Sequence, residues 1–225
     1  MNYELNTLSP FQIFRPYINN GGTIVAIAGE DYAIIGSDTR LSSDHIVITT
    51  HANKLFELSN KSVLGCTGCW CDVLTFTRIV NSRICLYKHQ NNKVMSTEAI
   101  AQMLSTILYF KRFFPYYVSN ILAGLDSNGK GCVFNYDPIG HYVQTQYEAD
   151  GTGGSFATSI LDNKVGLKNM VNVDNKTLDV EDALALLKDV FTVVAERDVF
   201  TGDCVSIDVI TEGGIERSNF QLRSD

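Results

Sequence analysis

Twice along this chain a run of closely spaced β-like segments gives way to a pair of helical ones and then returns, and that order restricts the architecture more than any other feature. Thr23 to Ala28 and Tyr32 to Asp38 carry continuous β-branched and apolar character around a Gly29-Glu30-Asp31 turn, the signature of a hairpin. Further strands are expected at Ile46 to Thr50, Lys54 to Leu58 and Ser62 to Cys66. The period then lengthens. Apolar residues at Val73, Leu74, Phe76, Ile79, Val80 and Ile84 predict a helix over about Asp72 to Tyr87, and a second runs from Thr97 to Phe110 behind a Ser96 cap. After Pro115 the strand period resumes at Val118 to Leu125, Gly131 to Tyr136 and His141 to Tyr147. A helix near Gly154, another from Val180 to about Arg197, and strands at Cys204 to Thr211 and Ile215 to Leu222 complete the order. Consecutive hairpins imply antiparallel sheets, and helix pairs between strand groups imply helices on both outer faces. The expected fold is α+β: a four-layer αββα sandwich of two antiparallel sheets flanked by helices.

With 225 residues, 45% of them hydrophobic, one well-buried domain is expected, spanning 21–225 after an N-terminal extension or propeptide-like segment at 1–20. A net charge of -7 and a pI near 5.1 offer no basic stripe for phosphates, so nucleic acid is not an expected partner. No run is long and apolar enough for a membrane helix, and Glu4, Pro10, Arg15 and Pro16 interrupt the first twenty residues where an apolar signal core would stand. No membrane partner is expected, and a cytosolic location is. Asn60-Lys61-Ser62 and Asn175-Lys176-Thr177 match the glycosylation pattern, which has meaning only in the secretory path.

Several constellations admit bland readings. Cys66-Thr67-Gly68-Cys69 lacks the second ligand pair that structural zinc needs, so the six cysteines read as small reduced hydrophobes and neither metal nor cofactor is expected. Asp126-Ser127-Asn128-Gly129-Lys130 imitates the start of a calcium loop, but Lys130 replaces an oxygen ligand and strands flank it; a hairpin turn is expected. Gly151-Thr152-Gly153-Gly154-Ser155 has no Gly-Lys-Ser/Thr ending for nucleotide, and reads as a tight loop or a donor site near a catalytic centre. His45, His51, His89 and His141 are scattered, with no serine or cysteine nucleophile motif beside them.

The sharper pattern is Gly21-Gly22-Thr23 at the head of a hairpin that ends in Ser37-Asp38-Thr39-Arg40, followed by Lys54. A threonine freed by cleavage after glycine can act as nucleophile, with its own α-amino group as base. A lysine nearby eases the proton loss, and a buried aspartate orients that lysine. With Gly151-Thr152-Gly153 and Arg197-Asp198-Val199-Phe200-Thr201-Gly202 added, the chain resembles proteasome β-type subunits from Gly21 to its end. Ala28-Gly29-Glu30-Asp31-Tyr32, Lys111-Arg112-Phe113-Phe114-Pro115-Tyr116-Tyr117, Asp137-Pro138-Ile139-Gly140 and Leu161-Asp162-Asn163 resemble one non-catalytic branch of that family, which fills the sixth position of the β ring.

The resemblance implies the N-terminal nucleophile hydrolase fold and a place in the cytoplasm and nucleus. It implies partners as well: other β subunits in a heteroheptameric ring, an adjacent α ring and an opposite β ring, with a share in ATP/ubiquitin-dependent protein degradation by the whole complex. It places Thr152 and Thr201 where active subunits carry supporting serines, Asp198 where they carry a third acid, and Asp126 toward a neighbour's substrate pocket.

In active members the nucleophile stands sixteen positions before the aspartate and thirty-two before the lysine; from Asp38 and from Lys54 both counts arrive at Gly22. Strand alternation turns the adjacent Thr23 to the other face. A silent, structural subunit is therefore expected, with Asp38, Lys54, Thr152, Asp198 and Thr201 as remnants. The rival readings are an active threonine endopeptidase using Thr23 after cleavage at Gly22-Thr23, and a free-standing binding module.

Overall fold

The computed structural model describes residues 17–167, 170 and 178–223; the proposed segment 1–20 lies outside the described residues up to position 16, as does the Asn175 sequon. β1 (Thr23–Ala28) and β2 (Ala33–Asp38) form the expected hairpin and are buried along their whole length. A short ribbon, β3 (Leu41–Ser43) with β4 (Ile46–Thr49), leads to β5 (Leu55–Ser59) and β6 (Ser62–Gly68). Two helices follow, α1 (Trp70–Asn91) and α2 (Thr97–Phe110), then β7 (Val118–Leu125), β8 (Gly131–Tyr136), β9 (Tyr142–Thr145) and β10 (Tyr147–Gly151). α3 (Gly154–Leu161) runs into a single π turn at Asp162–Gly166; α4 (Val180–Ala195), β11 (Cys204–Thr211) and β12 (Gly214–Gln221) close the order.

The strands assemble into two five-stranded antiparallel sheets, β10-β1-β2-β11-β12 and β5-β6-β7-β8-β9. Their inner faces meet through Ile24, Ala26, Ile35, Val63, Ile121, Ala123 and Val133. On the outer faces α1 and α2 cover the second sheet through Phe76, Val80, Leu104 and Leu108, while α3 and α4 cover the first through Ala157, Leu161, Leu187 and Phe191. Alternation between two covered faces explains why β1 is apolar from Ile24 onward: Ile24 and Ala26 face the other sheet, and Val25 and Ile27 face the helices. Each such buried Val or Ile contributes about 1.5–3 kcal/mol of apolar transfer. The four-layer αββα sandwich is the architecture expected from the element order.

Two expectations need correction, and one short strand was not foreseen. His141 to Tyr147 is not one strand: β9 pairs with β8 in the second sheet, Gln146 makes the crossing, and β10 pairs with β1 in the first. A period of two reports alternation but not which sheet a strand joins. β3, three residues long, carries too little pattern to be seen in the sequence. α1 runs four residues past Tyr87 through the polar stretch Lys88–Asn91, stopped by Asn92 in the left-handed region (φ 51°).

Candidate functional site

At the open end of the sandwich, where β1 begins, the structure brings together Gly22, Thr23, Asp38, Lys54, Thr152, Asp198 and Thr201. Asp38 ends β2 with its carboxylate fully buried. Its Oδ1 accepts from Lys54 Nζ at 2.7 Å and from the Thr23 amide at 2.9 Å, and its Oδ2 accepts from the amides of Arg40 (3.2 Å) and Gly202 (3.4 Å). Burial pushes the Asp38 carboxyl above its ordinary value, while the Lys54 ammonium and the converging amides pull it back. Lys54, itself 1% exposed, gives a second bond to the Arg40 carbonyl at 2.6 Å.

Gly22 stands against this pair. A methyl group built on its α-carbon would overlap Lys54 Nζ and come within 2.8 Å of Asp38 Oδ1, so a side chain here would enter the ammonium site. The backbone at Gly22 has φ +99°, which glycine adopts freely and a β-branched residue does not. Its N–H donates to Thr152 Oγ1 at 3.2 Å, and its carbonyl accepts from the Thr152 amide at 3.0 Å.

Thr23 is fully buried and directs its hydroxyl elsewhere. Thr23 Oγ1 accepts from the Gly153 amide at 3.0 Å and lies 2.7 Å from Thr201 Oγ1. Thr201 donates to Asp198 Oδ2 at 2.6 Å, and Thr152 donates to the same oxygen at 2.6 Å. A consistent arrangement of protons therefore runs from Gly153 N–H to Thr23, from the Thr23 hydroxyl to Thr201, and from Thr201 to Asp198. The glycine loop is a donor site, in that one of its amides serves Thr23.

Arg40 braces the loop that carries Asp198 and Thr201. Its Nε and Nη2 reach the two oxygens of Asp203 at 3.0 and 3.2 Å, and Nη1 donates to the Val199 carbonyl at 3.0 Å. Arg40 belongs to one sequence motif and Asp203 directly follows another, which ends at Gly202, but nothing in the sequence pairs them. No sequence signal pointed to Asn20, which bonds Gly68, Ser42 and Trp70 beside the centre; the residue ahead of helix α1, Cys69, makes no side-chain cap, and only that local deficit hinted at a remote one.

Asp126 stands apart. It follows β7, whose other end borders the centre; eight residues of strand separate the two, on the order of 25 Å. Its Oδ1 accepts from the amides of Asn128 (2.8 Å) and Lys130 (2.9 Å), closing the β7–β8 hairpin turn. Those bonds, Lys130's first, hold its carboxyl below the usual carboxylate range. The four histidines are exposed and separate. Cys66, Cys69 and Cys132 are buried, whereas Cys71 and Cys85 are exposed, and all six cysteines are free. Among the described residues no group of three or more His, Cys, Asp or Glu side chains could hold a metal ion.

Two antiparallel sheets between helix layers, with the Asp38–Lys54 cluster at the head of β1, define the N-terminal nucleophile hydrolase fold. A family model for the proteasome subunit matches residues 18–210. Proteasome subunit beta type-1-B of Carassius auratus is 49% identical over 94% of this chain and 90% of its own length. Proteasome subunit beta type-1 of Drosophila melanogaster is 50% identical over 94% and 91%, and that of Arabidopsis thaliana 42% identical over 94% and 97%. The chain belongs to the proteasome subunit family, and its likeness to β type-1 subunits extends over nearly all of it.

Proposed function

We propose that this chain is a non-catalytic, structural β subunit of the proteasome core particle. One observation carries the reading: the position that faces Lys54 and Asp38 is Gly22, while the adjacent threonine, Thr23, has its hydroxyl committed to Thr201 and Gly153 and its amide to Asp38. Catalysis by a terminal threonine needs hydroxyl and α-amine to exchange a proton. Were the Gly22–Thr23 bond cut, the new α-amine would lie 2.9 Å from the Asp38 carboxylate, which favours the ammonium form and removes the base.

The role is then architectural. The subunit sits in a heteroheptameric β ring, against an α ring and an opposite β ring, in the cytoplasm and nucleus, and supports protein degradation by the complex. The β7–β8 turn, with the ionised Asp126 carboxylate, is the part the family resemblance directs toward a neighbour's pocket.

The test uses purified assemblies. Intact mass and N-terminal sequencing should find no terminus at Thr23, and a probe directed at N-terminal threonine should leave this chain unlabelled. A Thr23 terminus together with covalent label on Thr23 establishes the active-peptidase reading instead.

A further inference from the structure

Three side chains converge at the open end of the gap between the two sheets, and each offers oxygen. Thr67 and Ser119 are direct partners in the β6–β7 pairing. They share a face with Gly65 and Ile121. Ile121 packs in the core between the sheets, and a methyl group on Gly65 would meet Ile24 and Ile35 of the first sheet. Asp150 faces them from β10: its pairing partner Ile24 belongs to the same inter-sheet core, and the Ser119 hydroxyl donates to its carboxylate.

Asp150 Oδ1 also accepts from Gly151 N–H at 2.6 Å. A carboxylate has room for about four such bonds, so acceptor capacity remains. Among the described residues no basic side chain pairs with Asp150, and no Lys, Arg or His borders the adjoining cleft. Glu148, two residues earlier on the same face of β10, adds a second carboxyl to the surroundings.

Thr67 makes the cleft more than a lone acid. It is 2% exposed and borders the cleft, and its Oγ1 has no hydrogen-bond partner among the described residues. A buried hydroxyl left short of a partner is destabilising, and a donor in the cleft would relieve it. The cleft measures about 180 Å³, which at about 30 Å³ per water holds about six. Spare carboxylate lone pairs, neutral oxygens, no positive charge and room for water suit a hard cation that keeps most of its hydration shell, as magnesium does.

We propose that this cleft is a magnesium site, in which Asp150 binds the ion directly and Thr67 Oγ1 accepts a hydrogen bond from one of the waters it retains. The bound ion ties β10 of the first sheet to β6 and β7 of the second, beside Thr152. No donor comes from the segment ahead of β1, so the site goes beyond the architectural reading and does not depend on whether the chain is cut at Gly22. A single direct carboxylate makes it a weak site, with a dissociation constant on the order of 1 mM.

The experiment uses purified assemblies carrying the wild-type subunit, Asp150→Asn or Thr67→Val, dialysed free of divalent ions. Amide hydrogen exchange within 117–119 and 149–152 is compared in chelator, in ~10 mM magnesium chloride and in sodium chloride of equal ionic strength. Magnesium at about ten times its dissociation constant should slow wild-type exchange there by about tenfold. Asp150→Asn should show no slowing. Thr67→Val, with the ion held about fivefold more weakly, should show about threefold. Sodium chloride should slow none of them.

Absence of slowing in the wild type overturns the proposal, as does equal slowing in Asp150→Asn or Thr67→Val, or by sodium chloride. If Asp150→Asn does not assemble, crystals of the native assembly soaked in Mn²⁺ decide the matter. Anomalous density within about 2.5 Å of an Asp150 carboxylate oxygen supports the site, and its absence overturns it.

Discussion

Replacing Gly22 with alanine adds one methyl group to a solvent-excluded spot, and the structure sets the magnitude of the response. At φ +99° an L-residue is strained by roughly 1–3 kcal/mol. The methyl group also overlaps Lys54 Nζ, so the ammonium must leave bonds of 2.7 Å to Asp38 and 2.6 Å to the Arg40 carbonyl, or stretch them. A charge-assisted bond weakened in this interior adds about 1.5–3 kcal/mol. Gly22→Ala should therefore destabilise the chain by about 3–5 kcal/mol, which urea unfolding monitored by circular dichroism can measure.

A double-mutant cycle separates the two causes. In a Lys54→Ala background the overlap with Nζ is gone, leaving the backbone strain and the 2.8 Å approach to Asp38 Oδ1, so Gly22→Ala should then cost about 2 kcal/mol less than in the wild type. Lys54→Ala alone should cost about 3–5 kcal/mol, because it leaves Asp38 buried and uncompensated. A Gly22→Ala cost below about 1 kcal/mol, or the same cost in both backgrounds, would refute the claim that Lys54 occupies the side-chain space of residue 22.

Thr201→Val removes the hydroxyl between Thr23 and Asp198 and should cost about 1–3 kcal/mol in the same unfolding assay, with Thr201→Ser restoring most of it. Arg40→Lys gives up the two-pronged contact with Asp203, and hydrogen exchange across Val199 to Asp203 should accelerate while the β1–β2 hairpin stays protected. Asp150 is pushed above its ordinary 3.8 by burial, so folding favours its protonated form. Its contribution is fully present below the unfolded value and is lost as pH rises through the folded one. Asp150→Asn should consequently be more stable than wild type at neutral pH, with the difference vanishing toward pH ~3.8; a constant difference across that window would contradict the assignment.

The hairpin register and the helix period together made the layer order legible from the sequence, since each element announced its type and length. Gly22 was reached through the family resemblance, whose spacings from Asp38 and from Lys54 both count back to it. Sheet membership was not legible: β9 and β10 read as one strand until the crossing at Gln146 is seen. Nor was the role of Asn20, whose partners lie 22, 48 and 50 residues away on three elements. A helix whose own cap residue is Cys69 leaves its first amides to a remote acceptor, and only tertiary packing names it.

That so much of the centre survives around Gly22 follows from what each group holds in place. Asp38 joins the start of β1, through Thr23 N–H, to the loop after α4, through Gly202 N–H, and Lys54 joins Asp38 to the Arg40 carbonyl. Removing either charge would strand the other in an interior where an unpaired ion is strongly destabilising. Asp198 likewise gathers the hydroxyls of Thr152 and Thr201, and each would otherwise be a polar group short of a partner. A side chain at position 22 is the one component whose absence leaves no donor or acceptor orphaned, because Lys54 reaches into the space. Retention of Asp38, Lys54, Thr152, Asp198 and Thr201 is accordingly accounted for by folding alone, and carries no weight in favour of catalysis at Thr23.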